Sequence, residues 1–258
     1  MKKTIGILGV GELTEKLVRG LVNGAPEQKI VLSPRSSERV NHLLHNTECS
    51  AGKSNQDVVN QADIVIIGVR PASLNQLAEE VSLRPDQLLI SVVAGVKCEQ
   101  LQRLFNHPNV ARMMLTYAAE INRTTVVLTS ENAGIEHYFS CLGEVIMIAE
   151  EHNFELATVG MCMNGWFYEF AGQLQNWITE KGMAPEDARR LVLGAMRDCA
   201  EYGSYCSDKS LYDIAKSIAT PGTFTCQGQT ILNAHQAFTP WDKAADAVYD
   251  SLNQADEK

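Results

Sequence analysis

Two glycines near the amino end, in Gly9-Val10-Gly11-Glu12-Leu13-Thr14, are the first residues whose spacing bears on chemistry. They join an apolar run beginning at Ile5 to a segment in which Leu13, Leu17, Val18 and Leu21 recur at helical spacing. At a strand-to-helix junction the first glycine permits a tight turn. The second lets the backbone approach a pyrophosphate, and free N–H groups at the helix start, those of Glu12 and Leu13, then face the anion. A complete dinucleotide fingerprint carries Gly or Ala third; Thr14 stands there, so a side chain must fit where helix meets strand. The bland alternative is a glycine turn that binds nothing. Placement between a strand and a helix favours the phosphate loop.

The end of the next strand selects the coenzyme. An NAD-preferring site places Asp or Glu there to bond the ribose hydroxyls. This chain has Ser33-Pro34-Arg35-Ser36-Ser37 and no acid before Glu38. Arg35 can take a 2′-phosphate by a charge-assisted fork, with Ser33 and Ser36 hydroxyls beside it. Ser36 as a helix cap and Arg35 in water is the competing reading, and both can hold at once. NADP(H) is therefore expected ahead of NAD(H). A second loop, Ala219-Thr220-Pro221-Gly222-Thr223-Phe224-Thr225, offers hydroxyls and N–H groups around a Pro-Gly turn. It could grip a carboxylate or be an ordinary connection.

The elements that must position these loops are legible from hydrophobic patterning. Apolar strand-like segments recur at Lys29 to Ser33, Asp63 to Val69, Gln87 to Val93, Asn109 to Met113 and Thr124 to Leu128, with helical segments between most of them. Strands buried on both faces read this way, so the first half is expected to be a Rossmann-like, doubly wound parallel α/β sheet. The second half is helical. Leu156, Met163, Phe170 and Trp177 form one row, Phe167 and Leu174 another, on a long helix ended by Gly182. Pro185 opens the next helix. Segments 208–217, 228–236 and 241–252 read as three more. The seam predicts a helix buried against another helix, and an all-α homodimerisation domain. The expected domains are 1–150 and 151–258.

Bulk properties narrow the function. The chain has 258 residues, 45% hydrophobic, with formal net charge -9. That balance argues against a general nucleic-acid or anionic-membrane binder. Its longest apolar runs fall far short of the roughly 20 residues of a membrane span. Seven scattered cysteines, never spaced Cys-x-x-Cys, read as reduced thiols of a cytoplasmic protein, and no metal site is expected. His107, His137, His152 and His235 read as surface or helix-end residues.

With these residues in hand, the chain resembles the pyrroline-5-carboxylate reductase family over nearly its whole length. The carriers are the glycine loop, Asn55 where the family has an asparagine near the coenzyme ribose, and Val69-Arg70-Pro71 for Val-Lys-Pro. Ser91-Val92-Val93-Ala94-Gly95-Val96 is similar to the family's Ser-x-x-Ala-Gly-Val, which lies along the nicotinamide. Val110 to Met114 looks like Val-x-Arg-x-Met, and Thr220 to Thr225 stands for Ser-Pro-Gly-Gly-Thr-Thr. Departures cluster at the substrate side. Leu115-Thr116-Tyr117-Ala118 replaces Pro-Asn-x-Pro, and Met163 to Tyr168 keeps only Gly165 and Tyr168 of Gly-Ser-Gly-Pro-Ala-Tyr. In the proline-glycine loop Thr223 replaces a glycine and Phe224 a threonine.

The resemblance implies hydride transfer from NADPH to the C=N carbon of a small cyclic imino acid. Thr225, Thr223 or Tyr168 could place the proton on nitrogen. Two rivals stand beside it: a related reductase of another imine or carbonyl compound, and a coenzyme-binding regulatory protein without turnover.

Overall fold

A computed structural model describes residues 3–34, 37–129 and 134–254, leaving the side chain of Ser37 aside. The chain runs β1 (Ile5–Leu8), α1 (Glu12–Gly24), β2 (Ile30–Leu32), α2 (Ser37–Asn46), β3 (Ser50–Ala51), α3 (Asn55–Gln61) and β4 (Ile64–Ile67). It continues α4 (Leu74–Glu80), β5 (Leu88–Ser91), α5 (Cys98–Phe105), β6 (Val110–Met114), β7 (Thr124–Thr129), α6 (Glu136–Phe139) and β8 (Gly143–Met147). Five helices close it: α7 (Glu151–Glu180), α8 (Pro185–Tyr205), α9 (Leu211–Ile218), α10 (Phe224–Ala234) and α11 (Thr239–Gln254).

The strands form one sheet in the order β3-β2-β1-β4-β5-β6-β7-β8. β1 is paired in parallel on both sides, Ile5 opposite Ile30 and Ile64. Its alternating residues feed two cores. Ile5 and Ile7 pack with Leu17, Val18 and Leu21 of α1, whereas Leu8 packs with Val58, Val59, Leu74 and Leu77 from α3 and α4. A strand clad on both faces has no polar side to show, hence the unbroken apolar runs. The chain order turns back between β1 and β4. That is a topological switch point, where the loops at the strands' carboxyl ends open a crevice.

The sheet is not parallel throughout. β7 runs antiparallel to β6, with Arg112 opposite Thr129, and β8 is parallel to β7. The short link between β6 and β7, which carries the 3-10 turn Tyr117–Ile121, is below the dozen residues that a parallel crossover needs. β3 and β8 are absent from the sequence reading. β3 has only two residues, too few to leave a pattern; β8 lies in the apolar run Val145-Ile146-Met147-Ile148, which the sequence reading passed over.

The chain divides into two compact units, 1–161 with 249–258, and 162–248. The first turns of α7 and the end of α11 thus belong with the sheet, not with the helices that follow. In the helical unit, Gly182 follows α7 at φ +105° and Pro185 opens α8. Within this chain the α7 seam is left open: Leu156, Phe167, Phe170, Leu174 and Trp177 are 39–59% exposed. One expectation needs correction. Helix α10 starts at Phe224 rather than 228, because the Thr223 hydroxyl accepts from the Cys226 N–H (3.1 Å) and caps it. Trp241 stacks on Phe167 at 5.7 Å and meets Trp166 and Phe170 edge-on at 6.1 Å.

Candidate functional site

Gly9 leaves β1 at φ +88°, a backbone that disfavours any side chain, and a Cβ there would stand 2.6 Å from Val69 Cγ1. The turn therefore presses against the end of β4. Thr14 fits at the third fingerprint position because Gly68 has no side chain; a Cβ on Gly68 would lie 2.1 Å from Thr14 Cγ2. The missing small residue has moved from the helix to the neighbouring strand end. Thr14 is buried, and its hydroxyl accepts from Gly11 N (2.7 Å) and donates to Gly9 O (2.8 Å). Ser33 Oγ accepts from Gly9 N (3.1 Å). The amides of both glycines are thus engaged within the protein. The N–H groups left for an anion are those at the first turn of α1, Glu12 and Leu13. A Cβ at Gly11 would find nothing closer than Gly68 O at 3.8 Å, so no protein neighbour enforces that glycine.

This loop lines one side of a cavity of about 850 Å³. Among the residues named from sequence, Gly9, Gly11, Glu12, Leu13, Ser33, Asn55, Val69 and Arg70 meet there. Pro71, Ala94 and Gly95 do not line it. Pro71 begins a 3-10 turn after β4, and Gly95, at φ +70°, sits in the turn after β5. Arg35 and Ser36 lie outside the described residues. Thr14, Glu38, Arg39, Gly68, Ser73, Gln76, Leu77 and Val92 also line the cavity. Of these eight, only Val92 falls in a segment that the sequence reading placed beside the coenzyme. Arg39 had one available signal, a second cation four residues after Arg35 on a predicted helix. Ser73, Gln76 and Leu77 had none, since only the crossing of α4 over the switch point brings them in.

Charge at the mouth is organised by Glu15, which is buried between two arginines. Arg19 Nη2 donates to its Oε1 (2.8 Å) and Arg39 Nη1 to its Oε2 (2.5 Å). Burial pushes the Glu15 carboxyl up, but the arginine hydrogen bonds and charges outweigh it and hold it below the ordinary carboxylate range. Arg39 is raised, chiefly by its bond to Glu15. On the opposite wall Asn55, 8% exposed, donates Nδ2 to Glu80 Oε2 (2.7 Å).

The Val-x-Arg-x-Met segment acquires a structural account. Arg112 is fully buried on β6, and its Nη1 donates to Glu155 Oε1 (2.5 Å) and Glu151 Oε1 (3.1 Å) on the first turns of α7. Its guanidinium lies 4.4 Å from the Phe154 ring centre. Glu151 also accepts from Cys98 N (3.3 Å), so one carboxylate joins β6 to the start of α5. Burial pushes the Cys98 thiol up, and all seven cysteines are free. His107 is not a surface residue. It is 3% exposed, with Nε2 2.9 Å from Gln87 O. Among the described residues no three His, Cys, Asp or Glu side chains converge as metal ligands, and no helix is long and apolar enough to cross a membrane.

In the helical unit, Thr223 Oγ1 donates to Thr220 O (2.8 Å) as well as capping α10, so its proton is spent on the turn. Thr225 lies within the first turn of α10, not in a loop. Tyr168 is exposed on α7, and Phe224 is 92% exposed.

Comparison with known proteins fits this geometry. Residues 4–95 match the family described as NADP oxidoreductase coenzyme F420-dependent. Pyrroline-5-carboxylate reductase of Escherichia coli is 26% identical over 249 residues, covering 90% of this chain and 90% of that protein. Over nearly its whole length the chain is thus similar to pyrroline-5-carboxylate reductases. The fold agrees: 1-pyrroline-5-carboxylate reductase of Streptococcus pyogenes superposes with TM-score 0.84 at 22% identity, covering 98% of this chain and 99% of that one. Pyrroline carboxylate reductase of Plasmodium falciparum, solved with NADP bound, gives 0.85 at 19% identity, covering 98% of each.

Proposed function

We propose that the chain is an NADP(H)-dependent reductase of the C=N bond of a small cyclic imine, with 1-pyrroline-5-carboxylate as first substrate. The observation that carries the reading is the cavity at the β1–β4 switch point, walled by the glycine turn. The E. coli relative named for this reaction, matched over nine-tenths of both chains, supports the substrate. The coenzyme fits the residues present. The start of α1 offers two amides to a diphosphate, β2 ends in Ser33 with no acid before Glu38, and Arg39 stands at the cavity wall together with Glu38.

When bound, the nicotinamide supplies the hydride. The chain's own part is to hold and orient. Glu12 and Leu13 N–H groups would take the diphosphate, and Arg35, Ser36 and Arg39 are the residues that would hold the adenosine phosphate. Asn55, Val69, Arg70 and Pro71 would hold the ribose and diphosphate. The turn with Ala94 and Gly95 would hold the nicotinamide. The Pro221-Gly222-Thr223 turn takes the substrate carboxylate. With the Thr223 proton committed to Thr220 O, Thr225 and Tyr168 remain to deliver a proton to the imine nitrogen. The exposed seam of α7 is apolar enough to pair with a second copy, and the reading includes a cytoplasmic homodimer.

Phe224, exposed beside this turn, favours a second reading in which a more apolar imine or carbonyl compound is preferred. The test is loss of NADPH absorbance with purified protein and 1-pyrroline-5-carboxylate, then with a panel of cyclic imines and small carbonyl compounds. Multiple turnovers are expected, fastest with the first. Binding of NADPH without turnover on any compound would refute a reductase and leave a coenzyme-binding protein. Absence of coenzyme binding would refute the cofactor site as well.

A further inference from the structure

The cavity wall also holds two side-chain amides that share one carboxylate. Asn55 Nδ2 donates to Glu80 Oε2 (2.7 Å), and Gln76 Nε2 donates to Glu80 Oε1 (3.2 Å). Both amide residues line the cavity. Asn55 is the first residue of α3, follows the cap Ser54, and is more than nine-tenths buried. A carboxylate accepts only, so it dictates which end of each amide faces it: the NH₂ turns to Glu80 and the carbonyl oxygen turns away. Asn55 Oδ1 is not among the buried unsatisfied atoms, and no donor to it stands among the described residues. An acceptor so placed suits a hydroxyl donor, and the coenzyme brings ribose hydroxyls.

We propose that Glu80 is a positioning residue for coenzyme binding: it fixes the Asn55 amide with Oδ1 toward the cavity, where it accepts a bond from a ribose hydroxyl. The inference rests on the coenzyme reading above and adds to it a residue outside the cavity wall. Glu80 acts through Asn55, and Gln76 shares the same anchor.

The decisive variant is Glu80→Gln. Its amide can donate to Asn55 Oδ1, which lets Asn55 turn over and offer NH₂ to the ribose in place of oxygen. Adding Asn55→Asp restores the arrangement: one oxygen of the introduced carboxylate accepts from the introduced amide and the other faces the cavity. Asn55→Asp alone sets two carboxylates against each other. Titration with NADPH is expected to show on the order of 10-fold weaker binding for Glu80→Gln, the worth of one hydrogen bond with its partner left unmatched. Glu80→Gln/Asn55→Asp should recover most of that loss, and Asn55→Asp alone should be weaker than both. Thermal midpoints are recorded for each variant, because a purely structural role would move them in step with affinity and would give no rescue. Should Glu80→Gln not fold, Glu80→Asp keeps the charge, withdraws the carboxylate by one methylene and should weaken NADPH likewise. Wild-type affinity in a folded Glu80→Gln variant, or no rescue in the double variant, overturns the assignment of Glu80. Failure of the wild-type protein to bind NADPH or NADH would instead overturn the coenzyme reading beneath it.

Discussion

Gly68→Ala tests whether the phosphate loop is built as an interlock between Gly68 and Thr14. The new Cβ would stand 2.1 Å from Thr14 Cγ2 and 3.1 Å from Gly9 O. The first distance is far inside van der Waals contact, and Thr14 cannot swing away without giving up its bonds to Gly11 N and Gly9 O. Overpacking at such a site costs about 1–3 kcal/mol. Thr14→Ser removes the clashing methyl and keeps the hydroxyl; alone it should cost about 0.8 kcal/mol, one buried methyl. If the two positions touch as described, the double variant should lie near Thr14→Ser alone. Their losses would then be non-additive by roughly 1–3 kcal/mol, the whole cost of Gly68→Ala and within the range of contacting residues. Urea midpoints of the four proteins give the cycle, provided the slopes agree. NADPH titration gives a second readout: Gly68→Ala should bind about 10-fold or more weakly, and the double variant should regain most of it, since about 1.4 kcal/mol corresponds to tenfold. Additive losses in stability, with no regain of binding, would refute the interlock.

Three other outcomes follow from the geometry. Arg112→Leu leaves the Glu155 and Glu151 carboxylates without their buried cation and should destabilise by about 3–5 kcal/mol; removing Glu155 as well, by Glu155→Leu, should return part of it in thermal unfolding. Because Glu15 is held below its ordinary range when folded, its ion pairs stabilise the fold above the unfolded value of about 4.3, and that contribution fades as pH falls through the lower folded value. The stability gap between wild type and Glu15→Gln should therefore be constant above about pH 5 and close in acid; a gap that widened in acid would contradict the sign. Arg35→Ala and Arg39→Ala should each weaken NADPH by about 1.5–3 kcal/mol, the worth of a charged hydrogen bond, and leave NADH nearly unchanged. Equal loss for both coenzymes would defeat the selector argument for that residue.

Much of the sheet unit was legible because its information is local. The order of apolar runs and helical stripes fixes which face each element buries, and Gly9 with Gly11 after an apolar run marks a strand-to-helix turn. The helical half was legible for the same reason, down to Gly182 and Pro185 between α7 and α8. The antiparallel turn at β7 could have been read from the short link before it, and was not, because apolar content says nothing of strand direction.

The amino-acid order by itself determined the class of fold and the phosphate turn. The tertiary structure alone decided which partners meet. Thr14 is tolerated because of Gly68, 54 positions away in the chain by their numbers, and Asn55 is oriented by Glu80. Arg112 is buried because Glu151 and Glu155 reach it from another element, and the α7 seam is exposed although its pattern is that of a buried helix. Periodicity records that a side chain will be covered or charged. It cannot record by what, since that depends on how separate elements cross in space.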